Sequence, residues 1–296
     1  MKVFIIGGTR LVGPHVVREL ESSGHQTTCF NRSGTRPGGG IALKGDRDDE
    51  TALRSAISDT APDLVIDMIP YTEVQAISLG RILETRGCPL VACSSIDVYR
   101  AFNILKGIEE PPYQKCPIRE SDALRSTLSI DGKRYDKLNV EGQYLSLDVD
   151  VTILRLPAIY GWPDTSRISG YVDQISSAGR VTMHPLAEDF RFSRALNRNC
   201  AFAVALAVAV APSGKRVYNV AEPDCLTEVE WCRRIGAHLD WDGEITFDES
   251  APIDADLRQD WMVDTSLIRE ELGFYEKYDP EEGLRENIRQ HMAAGE

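Results

Sequence analysis

Three residues near the amino terminus have the types and the spacing to hold a phosphate group. Gly7, Arg10 and Gly13 are three positions apart, and they follow the apolar residues 3–6 directly. Backbone N–H groups at the start of a helix bind pyrophosphate, and glycines let the chain turn tightly and the helix pack on the strand. We therefore predict that a dinucleotide binds to this turn. The expected contacts are Gly7, Thr9, Arg10, Leu11, Val12 and Gly13.

A glycine motif has this meaning only between a strand and a helix. Residues 2–6 have strand-forming types and residues 11–23 form an amphipathic segment, so this context is present. Arg10 occupies the middle position, where the backbone would otherwise come nearest to the phosphates. The alternative is an ordinary turn of a flavodoxin-like or other doubly wound sheet, and the position of the motif favours nucleotide binding.

The end of the second predicted strand bears on the choice of cofactor. In such sheets an acidic residue about 20 positions after the glycines binds the ribose 2′-hydroxyl of NAD, whereas an arginine accommodates the 2′-phosphate of NADP. The strand here ends in Asn31 and Arg32, with no acid, and Arg10 is a second arginine on the same side. NADP is therefore the predicted cofactor, with NAD as the alternative. Arg32 could instead be a solvated loop residue.

The third predicted strand ends in a polar turn that contains Asp46 and Arg47. The loop after the third strand lies beside the adenine in this architecture, so Asp46 could accept a hydrogen bond from the adenine amino group. It could equally belong to the N-cap of the helix that begins near Glu50. We include both residues of the turn among the candidate cofactor contacts.

Three later strands end in residues that would meet at one edge of the sheet. Ser94 and Ser95 follow residues 89–93, Pro157 follows residues 151–156, and Met68 lies near the end of residues 63–69. Open α/β folds bind their ligands at the carboxyl ends of the strands. The expected cofactor contacts at this edge are Met68, Ser94, Pro157 and Ile159.

The alternation of strands and helices in the first half predicts an α/β fold with a doubly wound parallel sheet, a Rossmann fold. We assign residues 1–161 to this dinucleotide-binding domain. Residues 162–296 would form a smaller α/β substrate-binding part, with some chain crossing back. Residues 100–130 are expected to be a long loop, residues 162–192 a polar, turn-rich covering of the sheet edge, and a helix is expected to start near Lys133.

Composition excludes several classes of protein. The chain has 296 residues, 42% hydrophobic and 27% charged, which is ordinary for a globular protein. Its formal charge of −13 argues against nucleic-acid binding, which depends on clustered lysine and arginine. No apolar run is long enough for a membrane span, and the 7 cysteines have no CxxC pair or zinc-ligand spacing. We expect a cytoplasmic protein without a metal, acting on a small molecule.

The order of its motifs resembles the extended short-chain dehydrogenase/reductase superfamily, specifically the NAD(P)-dependent epimerase/dehydratase family. The motifs are the glycine turn, Ser94-Ser95-x-x-Val98-Tyr99, a helix with tyrosine and lysine, Leu154-Arg155-Leu156-Pro157-Ala158-Ile159-Tyr160-Gly161, and Tyr218-Asn219-Val220. The Gly-Gly-Thr-Arg form of the turn is similar to an atypical branch that includes chloroplast stem-loop RNA-binding proteins. The resemblance also implies a homodimer through two surface helices.

The resemblance implies a hydride-transfer site made of Ser95, Tyr135 and Lys137. Serine would orient the substrate oxygen, tyrosine would move the proton, and lysine would favour the phenolate and also bind the nicotinamide ribose. The family spaces the last two residues as Tyr-x-x-x-Lys, whereas here they are two apart. Side chains two apart on a regular helix diverge by about 200°.

Three explanations of this spacing remain open. Tyr135 could lie in an irregular first turn, the register could shift and pair it with Asn139, or the proton-transfer site could be degenerate. Glu141 fits the family register that makes Lys137 the motif lysine, which disfavours the shift. Another phenol, such as Tyr71, could substitute.

The predicted function is an NAD(P)-dependent oxidoreductase or epimerase/dehydratase acting on a small polar substrate such as a nucleotide sugar. A cofactor-binding sensor is the alternative, and RNA binding is the least favoured.

Overall fold

The computed structural model describes residues 1–35, 37, 41–127 and 135–294. The strands are β1 (Lys2–Ile6), β2 (Gln26–Asn31), β3 (Ile41–Lys44), β4 (Leu64–Asp67), β5 (Leu90–Ser95), β6 (Val151–Leu156), β7 (Ala158–Tyr160), β8 (Val181–Met183), β9 (Arg194–Leu196), β10 (Lys215–Asn219) and β11 (Ile245–Phe247). The helices are α1 (Gly13–Ser22), α2 (Glu50–Thr60), α3 (Glu73–Arg86), α4 (Arg100–Leu105), α5 (Lys137–Leu145), α6 (Ser169–Ala178), α7 (Asn197–Val210), α8 (Glu228–Ala237), α9 (Ser266–Leu272) and α10 (Pro280–Ala294).

Seven strands form one parallel sheet in the order β10-β6-β5-β4-β1-β2-β3. The strand order reverses between β1 and β4, and ligands of doubly wound sheets bind in the crevice at such a switch point. The prediction of a Rossmann-type α/β fold is confirmed. The remaining strands form two small parallel pairs, β7 with β9 and β8 with β11.

Apolar cores cover both faces of the large sheet. Successive residues of a strand point to opposite faces: Ile5 lies in one core, while Phe4 and Ile6 lie in the other. The first core includes residues of α1, α7 and α9, and the second includes residues of α2, α3 and α5. This two-sided burial explains why β4 is an uninterrupted buried segment.

Some predicted elements differ from the structure. The expected loop at residues 100–130 contains α4, and the expected turn-rich segment 162–192 contains α6 and β8. The helix expected near Lys133 begins instead at Lys137, because the Asp136 side chain accepts from the Asn139 N–H and caps it there. Lys133 itself lies outside the described residues.

Residues beyond 161 contribute to both parts of the molecule. β10 extends the large sheet beside β6, and α7 packs against α1. Other residues of this part, on α6, α8 and α10, form a separate apolar cluster. The predicted division at residue 161 therefore stays a prediction. Across the described residues, none of the helices combines the length and the apolar character that a membrane crossing requires.

Candidate active site

The glycines of the first turn are required by backbone geometry. Gly7 and Gly8 have φ angles of +98° and +83°, which are strained for residues with a side chain. A Cβ atom on Gly13 would lie 2.5 Å from the backbone carbon of Gly8. The absence of that atom lets α1 start directly against the turn, as a phosphate cradle requires.

The side chains of this turn point in different directions. Val12 is buried in the core and Leu11 packs against it, so these two can offer a ligand only their backbone. Arg10 is exposed and Thr9 is half-buried. Val12 makes no side-chain cap of α1. The turn thus presents its backbone together with one exposed cation, Arg10.

The end of β2 holds its own loop in place. Asn31 Nδ2 donates to the carbonyl of Thr35 at 2.8 Å, and Ser33 Oγ donates to Asn31 Oδ1 at 2.7 Å. At this strand end, the Asn31 amide is hydrogen-bonded within the following loop, and Arg32 beside it is exposed.

Asp46 and Arg47 have separate environments although they are neighbours. Asp46 is exposed and its Oδ1 accepts from the Asp48 N–H at 3.1 Å, while the cap of α2 is Asp49. Arg47 is only 7% exposed, and its Nη1 donates to Asp67 Oδ1 at 2.7 Å and to the carbonyl of Ile69 at 2.6 Å. Asp46 therefore lies at the surface, whereas the Arg47 side chain extends into the interior and contacts the end of β4.

The ammonium group of Lys137 lies at the centre of the sheet edge. Its Nζ donates to the Cys93 carbonyl at 2.9 Å and lies 5.6 Å from the centre of the Tyr135 ring and 5.1 Å from that of Tyr71. Burial lowers the pKa of Lys137 to about 8, against the opposing effect of nearby carboxylates, Asp67 first. Both phenol rings therefore lie within cation–π range of one buried ammonium.

Tyr135 precedes α5 and is not part of the regular helix. The divergence of side chains two apart on a helix therefore does not apply to it, as in the first of the three explanations of the spacing. Its Oη donates to Asp97 Oδ2 at 2.7 Å. Burial and then the Asp97 charge raise the pKa of Tyr135, while a side-chain hydrogen bond with Ser95 acts in the opposite direction.

A buried polar network holds Ser94 and α5 together. Ser94 Oγ donates to Glu141 Oε1 at 2.5 Å, and Arg155 donates to both oxygens of Glu141, the shortest distance being 2.7 Å. Arg155 Nη1 also donates to Tyr99 Oη at 2.8 Å, whose hydroxyl donates to Asn219 at 2.7 Å. The network links β5, β6, α5 and β10, and the Ser94 hydroxyl donates its hydrogen bond within it.

The other predicted cofactor contacts near the sheet edge are mostly buried. Met68 and Ile159 are partly buried against the first core, and the Cys93 thiol contacts the Met68 sulfur at 3.7 Å. Pro157 lines a cavity at the same edge. The edge thus combines a polar centre with apolar flanks, as ligand pockets generally do.

A cavity of about 770 Å³ adjoins this edge. Ser95, Asp97 and Tyr135 line it on one side, and residues beyond 161, including Arg167 and His184, line it on the other. Phe192 and Trp261 also line it, stacked with ring centres 5.0 Å apart. Arg180 and Arg191, which belong to the segment expected to cover the sheet edge, are not among the lining residues.

Asp97 is the residue of this site that sequence reasoning missed. It is 8% exposed, accepts from Tyr135, and has a pKa raised by burial, with the Tyr135 hydrogen bond, Arg125 and Lys137 acting to lower it. The signal was a single carboxylate in a run of hydroxyl and apolar residues at the end of a buried strand. It was overlooked because the motif directs attention to Ser95 and Tyr99.

Comparison with known proteins supports the interpretation of the fold. Residues 3–85 match the model of the NAD dependent epimerase/dehydratase family. Chloroplast stem-loop binding protein of 41 kDa b from Arabidopsis thaliana is 29% identical over 178 residues, covering 54% of this chain and 42% of that protein. The match therefore spans less than half of that relative, which is a chloroplast protein and leaves the predicted cytoplasmic location untested.

Solved structures match over the whole chain. UDP-glucose 4-epimerase from Thermotoga maritima, determined with UDP-glucose, has 15% identity, a TM-score of 0.75 and coverage of 100% of both chains. UDP-glucose 4-epimerase from Stenotrophomonas maltophila, with bound NAD and formylated UDP-arabinopyranose, has 17% identity, a TM-score of 0.76 and the same coverage.

The fold is a Rossmann-type α/β fold, with seven parallel strands covered on both faces. The predicted resemblance to the NAD dependent epimerase/dehydratase family is confirmed, through residues 3–85.

Proposed function

We propose that this chain is a nicotinamide-dependent oxidoreductase of the epimerase/dehydratase type, acting on a hydroxyl or carbonyl group of a nucleotide sugar. The observation that carries the proposal is the convergence of Ser95 and Tyr135 on one large cavity, with Lys137 beside the tyrosine. The family match supports an enzyme. The UDP-sugar ligands of the structural neighbours support the substrate class.

The residues present fit a bound dinucleotide. The absence of a side chain at Gly13 lets the start of α1 pack against Gly8 in the turn, and the exposed Arg10 adds positive charge beside it. When bound, the nicotinamide would supply the hydride acceptor or donor. Residues 1–161 would hold the cofactor, and residues 162–296 would complete the substrate side of the cavity.

The chain's own side chains would do the rest of the chemistry. Ser95 would hold the reacting oxygen by a hydrogen bond, and Tyr135 would take or return its proton. Lys137 would place its positive charge beside the Tyr135 ring and bind the nicotinamide ribose. The aromatic pair Phe192 and Trp261 would exclude water from the far side of the cavity.

The preferred cofactor in this proposal is NADP. The end of β2 carries an amide and an arginine and no carboxylate, so nothing there would repel a 2′-phosphate, and Arg10 and Arg32 are both exposed. The neighbour from Stenotrophomonas maltophila holds NAD. Competitive titration of the protein with NADPH and NADH decides between the two.

The test of the function is a turnover assay with a panel of UDP-sugars and either cofactor. Formation of an isomer or dehydrated product, followed by chromatography, supports the proposal, as does a substrate-dependent change in nicotinamide absorbance. Ser95→Ala should reduce turnover without weakening cofactor binding, since the hydroxyl contacts the substrate and the turn holds the dinucleotide. Tight cofactor binding without turnover would instead favour the sensor.

A further inference from the structure

We propose that Tyr135 does not act as a phenolate base but passes its proton to Asp97, so that the carboxylate is the final proton acceptor of the site. This inference rests on the proposed function and assigns a residue that the motif does not include. It would let the site dispense with the helical Tyr-x-x-x-Lys spacing. Asp97 acts through the tyrosine and is therefore a positioning and proton-holding residue.

The geometry that carries the proposal is a short bond at the cavity wall. Tyr135 Oη and Asp97 Oδ2 are 2.7 Å apart, and both residues line the cavity with Ser95. The backbone N–H of Asp97 donates to Ser95 Oγ at 3.3 Å, which fixes the serine hydroxyl close to the same chain segment. A substrate hydroxyl within reach of Ser95 would also be close to the tyrosine oxygen.

Three side chains act most strongly on the carboxylate of Asp97: one hydroxyl and two cations. Tyr135 faces it with a hydroxyl, while the cations Arg125 and Lys137 act on it from a distance and favour its charged form. Arg125 is 2% exposed, its Nη2 lies 3.7 Å from Asp136 Oδ1, and its Nε and Nη2 have no hydrogen-bond partner among the described residues. Asp97 Oδ1 is likewise buried without a partner in that part of the chain.

This arrangement opposes a phenolate on Tyr135. A phenolate would lie 2.7 Å from the Asp97 oxygen, and two negative groups at that distance cannot both be favoured in a buried site. The ammonium of Lys137 is shared with the ring of Tyr71 and with the Cys93 carbonyl. A concerted transfer avoids the second negative charge.

The transfer balances as follows. A bound nicotinamide would accept the hydride when the substrate alcohol is oxidised; the O–H bond of that alcohol breaks and its proton moves to Tyr135 Oη. In the same step the phenolic O–H bond breaks and that proton moves to Asp97 Oδ2. Tyr135 ends neutral and Asp97 ends protonated. Reduction of the carbonyl reverses both proton transfers.

A hydrogen bond between a tyrosine and a carboxylate is not by itself enough to identify a proton-transfer pair. Tyr218 Oη donates to Glu271 at 2.6 Å in the same manner, and neither residue lines the cavity. The pair at Asp97 differs in that it shares the cavity with Ser95 and lies beside a buried ammonium. The Tyr218 pair therefore serves as a matched control.

The first test titrates Tyr135 without substrate or cofactor. In the Asp97→Asn variant the amide still accepts the hydrogen bond but carries no charge, so the Tyr135 pKa should fall by about one to three pH units. Ultraviolet difference spectra of tyrosinate, compared with the Asp97→Asn/Tyr135→Phe double variant, measure that fall. Glu271→Gln should shift Tyr218 only. An unchanged Tyr135 titration in Asp97→Asn overturns the proposal.

The second test uses the pH profile of turnover with UDP-glucose and NAD or NADP. Asp97→Asn should lose most activity near neutral pH and regain about tenfold per pH unit toward alkaline pH, as the phenol begins to ionise. A merely structural role predicts the same fractional loss at every pH, which would overturn the proposal. Absence of wild-type turnover with every UDP-sugar of the panel would refute the proposed function, whereas the titration tests the coupling of Tyr135 to Asp97 separately.

Discussion

The buried ion pair between Arg155 and Glu141 offers the sharpest test of how this site is held. Both side chains are 3% exposed, and the guanidinium donates to both carboxylate oxygens. Arg155→Met would leave Glu141 charged in the interior, with Ser94 as its remaining neighbour in the network. Removing one partner of a buried pair costs about 3–5 kcal/mol, because the other charge stays desolvated.

The assay is urea denaturation of three variants: Arg155→Met, Glu141→Gln, and the two combined. The double variant should recover part of the lost free energy of unfolding, since it buries no unpaired charge. The surface pair Arg54 and Glu50 is the control, with side chains 44% and 39% exposed. Arg54→Met should change the free energy of unfolding far less than Arg155→Met, because water screens an exposed pair. A loss below about 1 kcal/mol in Arg155→Met would refute the reasoning.

Three further predictions follow from other parts of the molecule. Arg10→Ala and Arg32→Ala should each weaken NADPH and leave NADH nearly unchanged in a binding titration; equal weakening of both would contradict the 2′-phosphate assignment. Gly13→Ala should destabilise the protein by about 1–3 kcal/mol and weaken the dinucleotide, whereas Gly142→Ala, where nothing lies within 4 Å, should do neither. Burial raises the pKa of Glu222 to about 7 from 4.5. Its contribution should therefore be most favourable below about pH 4.5 and fall until about pH 7, and Glu222→Gln should abolish that slope in thermal melts.

The sheet could be predicted because local signals agreed with the fold. Apolar strands such as residues 64–67, bounded by turn residues, indicate burial on both faces. The glycine turn was equally predictable, because Gly7 and Gly13 meet geometric requirements that few other residues meet. Periodicity does not identify α4, which is six residues long.

The side-chain directions at the site could not be predicted from spacing. The helix argument for Tyr135 and Lys137 assumed a regular helix, and the cap at Asp136 places the tyrosine outside it. Arg47 was expected at the cofactor, but its guanidinium bonds to Asp67 in the interior. The Arg47 pairing depends on a residue 20 positions away, which no local pattern contains.

The position of β10 in the sequence affects the order in which the chain can fold. β10 lies at residues 215–219, yet it pairs with β6 along the edge of the large sheet, and α7 covers α1 from a similarly late part of the sequence. During synthesis the first 161 residues would therefore emerge with an unpaired strand edge and an uncovered apolar helix face. The large sheet and the cover of α1 are therefore complete only when residues 197–219 have been made.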